Sequence, residues 1–217
     1  MLNRYLETLA KCMSNLLSGT CVNPAILMLL ALLLLGGAYI LFRNILLQDY
    51  LLRGKLSKRS GFLQLVVFAG LMALPYLFNS PDWPWFWKMA GPTSLVQQIL
   101  GFLIILLGFL VAFGTMARFG LQRAFGIEVS ALIDKGPYLF TRNPQIIGGY
   151  LLVIGTTIQW PSLYGAAWVV LYGIIGHWMI LTEEEHLGAI YGSVYREYCG
   201  RTPRYLVDFH RRKRQRT

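Results

Sequence analysis

Residues 144–181 read PQIIGGYLLVIGTTIQWPSLYGAAWVVLYGIIGHWMIL and contain no Asp, Glu, Lys or Arg. An apolar run of about 18 residues already suffices for one helix to cross a hydrocarbon core roughly 30 Å thick, at about 1.5 Å per residue. This run is too long for one crossing, and Gln159-Trp160-Pro161-Ser162 puts a turn near its middle. It predicts a helical hairpin, with helices over about 144–160 and 162–182. The first arm is short, so a tilted or partly interfacial helix stands beside a full crossing as its reading.

The same pattern extends outward. Further apolar windows run from about Pro24 to Phe42, Gly61 to Phe78 and Leu95 to Met116. The chain is 55% hydrophobic and only 14% charged, against roughly 25% charged in soluble domains. A soluble globular enzyme is excluded. The fold class is all-α: a multi-pass transmembrane helical protein with about five spans, ending in the hairpin. The chain divides into an amphipathic N-terminal segment (1–23), three transmembrane helices (24–116), a region with the hairpin and a C-terminal helix (117–206), and a polybasic tail (207–217). In the first segment Leu2, Tyr5, Leu6, Leu9, Met13, Leu16 and Leu17 fall at helical spacing, which suits a helix lying on the membrane surface. The stretch NSPDWPWFWK at 79–88 reads as an interfacial aromatic loop.

The net charge of +10 is unevenly placed. Arg43, Arg53, Lys55, Lys58 and Arg59 follow the first span. Arg118, Arg123, Lys135 and Arg142 follow the third, and a cluster ends in HRRKRQRT. These belong on one side of the membrane, leaving Arg4, Lys11 and Lys88 on the other. Cytoplasmic loops collect Lys and Arg, so the expected topology is N-terminus outside and C-terminus cytoplasmic, in the inner membrane for a bacterial protein. The basic residues are then membrane edges facing the lipid bilayer, and no nucleic-acid partner is implied. Cys12, Cys21 and Cys199 show no C-x-x-C spacing, so no metal site or disulfide framework is expected.

Two segments carry chemistry. In KGPYLFTRNPQIIGGY (135–150), Gly136-Pro137 marks a turn, and Asn143-Pro144 marks a helix start with Asn as N-cap and Pro at the first helical position. Arg142 therefore stands at a helix N-terminus, where free N–H groups favour an anion. Gly148 and Gly149 permit close approach by another helix or a ligand, though an ordinary capped span with small packing residues reads the same way. In TEEEHLGAIYGSVYREYCGRTPR (182–204), Glu183, Glu184 and Glu185 crowd the end of the last span. On a continuous helix Glu184, Gly188, Tyr191, Tyr195 and Tyr198 share one stripe. Such a stripe suits either a pocket for a cationic ligand or interfacial packing. Gly192 is a candidate kink.

Together these segments resemble the isoprenylcysteine carboxyl methyltransferase and phospholipid methyltransferase families. Gly136, Pro137, Tyr138, Arg142, Asn143 and Pro144 match a G-P-Y-x-x-x-R-[HN]-P motif. Glu183, Glu184, Leu187, Tyr191, Gly192, Tyr195, Tyr198, Thr202, Pro203 and Arg204 match E-E-x-x-L-x-x-x-F-G-x-x-Y-x-x-Y-x-x-x-V-P-R, with Tyr191 for Phe and Thr202 for Val. Ile146 replaces a customary Tyr. The resemblance covers roughly Leu110 to Arg204.

It implies S-adenosylmethionine-dependent methyl transfer in a membrane-embedded site, with S-adenosyl-L-methionine held by cytoplasmic helix ends and loops, since no G-x-G-x-x-G is present. Arg142 and Glu184 are the implied catalytic residues. Gly136, Pro137, Tyr138, Arg142, Asn143, Pro144, Glu183, Glu184, Tyr191, Tyr195 and Tyr198 are the implied cofactor-binding residues. Charge suits Glu184 and tyrosine faces to the donor's cationic groups, Arg142 to its carboxylate and Glu183 to its ribose. The acceptor is a lipid, a prenylcysteine carboxylate or another small membrane-accessible molecule, expected to enter sideways past the hairpin glycines. His177, the one readily titratable side chain in the hairpin, reads as either functional or structural. A steroid-reductase-type membrane enzyme using NADPH and a non-enzymatic membrane protein are the rival readings.

Overall fold

The computed structural model describes residues 24–78, 93–119, 132 and 134–206. The surface helix expected over 1–23, the aromatic loop at 79–88 and the polybasic tail at 207–217 lie outside the described residues. Helix α1 (Pro24–Ile40) continues through a π-helical turn (Leu41–Leu46) into α2 (Leu47–Arg53). Next come α3 (Lys58–Ala73), the short α4 (Pro75–Phe78), α5 (Leu95–Phe119), a 3₁₀ turn (Gly136–Leu139), α6 (Pro144–Gln159) and α7 (Leu163–Arg201). Every described element is helical, as an apolar environment demands of a chain that must satisfy its own backbone.

Four helical stretches are long and apolar enough to cross a membrane: Pro24–Arg53, Lys58–Leu77, Leu95–Arg118 and Leu163–Arg201. The protein is an integral membrane protein. Helix α6 has 16 residues and falls short of that length, so the expected five spans reduce to four long ones and this shorter helix. The hairpin turn is as the sequence predicts. Helix α6 stops at Gln159, and Ser162 caps α7, its Oγ accepting from the Gly165 N–H at 2.9 Å. Helix α7 then runs far beyond the predicted span, and Gly192 breaks it with φ 53° and ψ −115°, a conformation that disfavours any side chain.

Helix α6 packs most closely on α5, not on its hairpin partner. Gly148 lies on Gly108 and Ala112, and Gly155 lies on Gly101 and Ile105. As numbers rise along α6 they fall along α5, so the pair is antiparallel. At the far end the Thr93 hydroxyl donates to the Gln159 carbonyl (3.4 Å) and Gln159 Nε2 donates to the Gln98 carbonyl (3.4 Å). Gly149 is covered by the Tyr172 phenol. Of the two readings the hairpin glycines allow, close packing or a lateral gap, close packing holds at Gly148, Gly149 and Gly155; at Gly148 and Gly155, with no side chain to hold the helices apart, backbone meets backbone.

The other half of the core joins α1–α3 to α7 through Phe42, Leu46, Leu71, Trp168, Tyr172, Ile175 and Met179. Pro75 has no N–H to return to the Leu71 carbonyl. Trp168 Nε1 supplies the missing donor across the helix interface at 2.8 Å. Trp168→Phe is expected to strand that buried carbonyl and cost about 1–3 kcal/mol. In a Pro75→Ala background the helix provides its own donor, so the cost should shrink by about 1 kcal/mol in a double-mutant cycle read by detergent denaturation. Equal costs in both backgrounds would disprove the compensation.

Candidate active site

The first signature segment is built as a turn and a helix start. Gly136 takes φ 63°, which starts the 3₁₀ turn, and Pro144 opens α6 behind Asn143. The Asn143 side chain makes no cap bond, however. Its Nδ2 donates instead to the Arg204 carbonyl at 3.1 Å.

That bond is one of a set that lashes the two signature segments together. The Thr141 hydroxyl donates to the same Arg204 carbonyl (3.0 Å). The Arg142 N–H donates to the Pro203 carbonyl (2.9 Å). The Tyr198 hydroxyl donates to the Tyr138 carbonyl (2.8 Å). Residues about sixty apart in sequence thus form one unit at the charged end of α7.

Glu184 is its centre. Arg142 Nη1 lies 2.9 Å from Glu184 Oε1, and both side chains are nearly buried, at 13% and 12% exposure. Arg204 grips the same carboxylate, with Nε 3.0 Å from each oxygen and Nη2 2.6 Å from Oε2. Those hydrogen bonds hold the Arg204 guanidinium firmly charged. Arg142 Nη1 also reaches Cys199 Sγ at 2.7 Å. The charges that sequence logic paired with a ligand are here paired with each other. Two guanidiniums thus share one carboxylate.

Glu183 is adjacent. Burial first, then the Glu183 carboxylate and Tyr198, push the Tyr138 hydroxyl well above the ordinary phenol range. Tyr195 and Tyr198 are buried, their ring centroids 6.2 Å apart, and the Tyr195 ring lies against Gly188. Tyr191 is half-buried. Gly192 breaks the helix inside the five-residue stripe, between Tyr191 and Tyr195, yet the Tyr195 ring stays against Gly188.

Several residues at this end were not singled out from the sequence. Arg43, on the π-helical turn, pairs with Glu185 at 2.9 Å, and Thr182 donates to the Phe42 carbonyl of that turn at 2.8 Å. Tyr50 stacks on His186 with centroids 3.9 Å apart. These contacts pin the first helical unit to α7. A π-turn often marks a functional position, but its occurrence is invisible in an apolar sequence. Buried Arg142 Nε, Gln145 Nε2 and His186 Nε2 lack a hydrogen-bond partner among the described residues. Arg142 and Gln145 lie three residues apart where α6 begins, and each keeps one buried N–H donor without a partner among the described residues. That set fits the carboxylate of an amino-acid-like ligand. Glu183 and the tyrosine rings fit its hydroxyl and cationic groups.

Residues 96–194 match the phospholipid methyltransferase family. That match runs from the start of α5 to just past the Gly192 break. It begins earlier than the stretch read from the motifs and stops short of Arg204. Phosphatidylethanolamine N-methyltransferase B of Dictyostelium discoideum is similar, 27% identical over 108 residues. The alignment covers 47% of this chain and 54% of that protein, so the chain spans about half the length of the curated relative it matches. No solved structure matches.

Proposed function

We propose, from the match of residues 96–194 to the phospholipid methyltransferase family, that this protein transfers a methyl group from S-adenosylmethionine to a membrane lipid. The observation that carries the reading is the fusion of both signature segments around Glu184, with unsatisfied donors beside it. When bound, S-adenosylmethionine supplies an electrophilic methyl group on a sulfonium. The Arg142 and Gln145 N–H groups hold its carboxylate. Glu183, Tyr191, Tyr195 and Tyr198 surround its ribose and cationic end. Glu184, locked between Arg142 and Arg204, fixes the guanidiniums and lends negative charge. The turn Gly136–Asn143 closes over the site. No metal is required, because displacement at a methyl carbon needs alignment and exclusion of water.

The name of the Dictyostelium relative favours a phosphatidylethanolamine amine as acceptor. Ile146 stands where the family customarily has Tyr, at the acceptor side of the site. We place the charged end of α7 in the cytoplasm, with the N-terminus outside, on the positive-inside pattern. We read α6 as a fifth crossing, because it runs along α5 from Ala112 to Thr93, nearly the length of that span. Its 16 residues reach about 24 Å, which local thinning accommodates.

The test uses the full chain in nanodiscs containing phosphatidylethanolamine. Calorimetry should show saturable binding of S-adenosylmethionine and none of NADPH, and methyl-labelled donor should put label into the lipid. NADPH binding would install the reductase reading, and binding of neither would leave a non-enzymatic protein.

A further inference from the structure

A groove of about 400 Å³ lies between α6 and α7, lined by Ile146, Tyr150, Tyr172, Gly173, His177 and Tyr205 among others. Its wall is apolar apart from phenols and one imidazole. His177 Nδ1 lies 2.7 Å from the Tyr205 hydroxyl, and the two rings stack with centroids 6.3 Å apart. Tyr205 directly follows Arg204, which grips Glu184, so the groove adjoins the Glu184 cluster. No carboxylate, Lys or Arg lines it among the described residues. Tyr150 faces it from α6 and Tyr172 from α7. Arg204 and Glu184 act on Tyr205 from the adjoining cluster, and burial leads in pushing its hydroxyl above the usual phenol range. An imidazole within an apolar span is costly to keep, and this one fronts a groove rather than a packed interface.

We propose that His177 is the proton acceptor for a lipid primary amine seated in this groove, its chains lying against Ile146, Ile147 and Leu206. The assignment rests on the methyl-transfer reading above. A primary ammonium has no lone pair and cannot attack a methyl carbon until it loses a proton, whereas a carboxylate acceptor needs no base. With Nδ1–H donated to the Tyr205 oxygen, His177 Nε2 keeps a free lone pair. The proton passes from the lipid nitrogen to Nε2, and the freed nitrogen lone pair forms the new N–C bond. The S–C bond breaks with its electron pair going to the donor's sulfur, which leaves as a neutral thioether. The imidazolium then returns its proton to water. Tyr205 is a positioning residue: it fixes the tautomer.

The test compares wild type, His177→Gln and Tyr205→Phe in phosphatidylethanolamine nanodiscs. At pH 7, His177→Gln should lower kcat about 100-fold, the usual scale of a lost general base, with S-adenosylmethionine affinity within about twofold. Its rate should climb about tenfold per pH unit up to about pH 9, as free amine accumulates, so that its deficit against wild type narrows as pH rises. Nitrogen NMR of labelled histidine should show the Nδ1–H tautomer in the wild type, lost in Tyr205→Phe. A His177→Gln rate equal to wild type, a loss equal at all pH values, or an Nε2–H tautomer overturns the assignment. Wild-type protein that binds the donor but methylates no amine lipid overturns the reading beneath it, and the assignment with it.

Discussion

Glu184→Gln is expected to weaken S-adenosylmethionine binding by at least about tenfold, about 1.4 kcal/mol, and to cut methyl transfer further still. The carboxylate takes hydrogen bonds from Arg142 and Arg204 at 2.6–3.0 Å. Gln offers one oxygen and turns an N–H₂ group toward guanidinium donors. Breaking a buried pair in this way costs about 3–5 kcal/mol, because the partner charge stays buried without compensation. Arg204, 37% exposed, can swing into water. Arg142 cannot, and its displacement removes the donor aimed at the ligand carboxylate. The strap at 203–204 remains docked through backbone bonds to Arg142, Thr141 and Asn143, so the variant should still fold. Calorimetry checks the affinity and a thermal scan checks the fold. A folded variant that binds the donor normally would remove Glu184 from the site. Arg204→Lys is the companion measurement within the same experiment: a point charge cannot span both carboxylate oxygens, so a loss smaller than that of Glu184→Gln, in the same direction, is expected.

The spans and the hairpin turn were legible because membrane solvation is written directly in charge-free windows, and Trp160-Pro161-Ser162 is unambiguous punctuation. The joining of 136–144 to 198–204 was legible only as two motifs. Spacing says nothing about which backbone carbonyl Asn143 will find. The charges misled in one respect. Glu184 and Arg142 were each matched to a ligand, yet opposite charges forced together in a poorly hydrated place meet each other first. Gln145 was passed over because a polar residue in the first turn of a helix is ordinary, and its lack of a partner appears only when neighbours are placed. Arg43, Tyr50 and His186 depend on α1 and α2 crossing α7, a contact more than a hundred residues apart that no local pattern encodes. The pairing of α6 with α5 was not read from the sequence, which pointed to the hairpin partner; its trace there is only that Gly101 and Gly108 are spaced as Gly148 and Gly155 are, seven residues apart on both helices.

That spacing sets up the other large effect. Gly148→Leu is expected to undo the α5–α6 pair and with it the whole site. A Cβ at 148 would stand 2.6 Å from Ala112 N and 2.7 Å from the Gly108 carbonyl oxygen. Both obstacles are backbone, so no rotamer change relieves them and the helices must part. Ordinary overpacking costs about 1–3 kcal/mol. Here the full length of the interface is lost as well, since Gly155 on Gly101 and Gln159 on Gln98 depend on the same register. Arg142 and Asn143 lead directly into α6 and Gln145 lies in its first turn, so displacing the helix takes the signature turn away from Arg204. The variant should lose most of its folded yield in detergent, and donor binding with it. Gly114→Leu is the control on the same α5 helix: a Cβ there meets nothing within 4 Å among the described residues, and both yield and binding should be retained. Thermal stability and calorimetry on the two variants decide the matter. If Gly148→Leu instead stays folded, binds S-adenosylmethionine and loses only lipid methylation, then the acceptor does enter beside Gly148, as the glycines alone suggested. The groove at His177 would then be the wrong place to seat it.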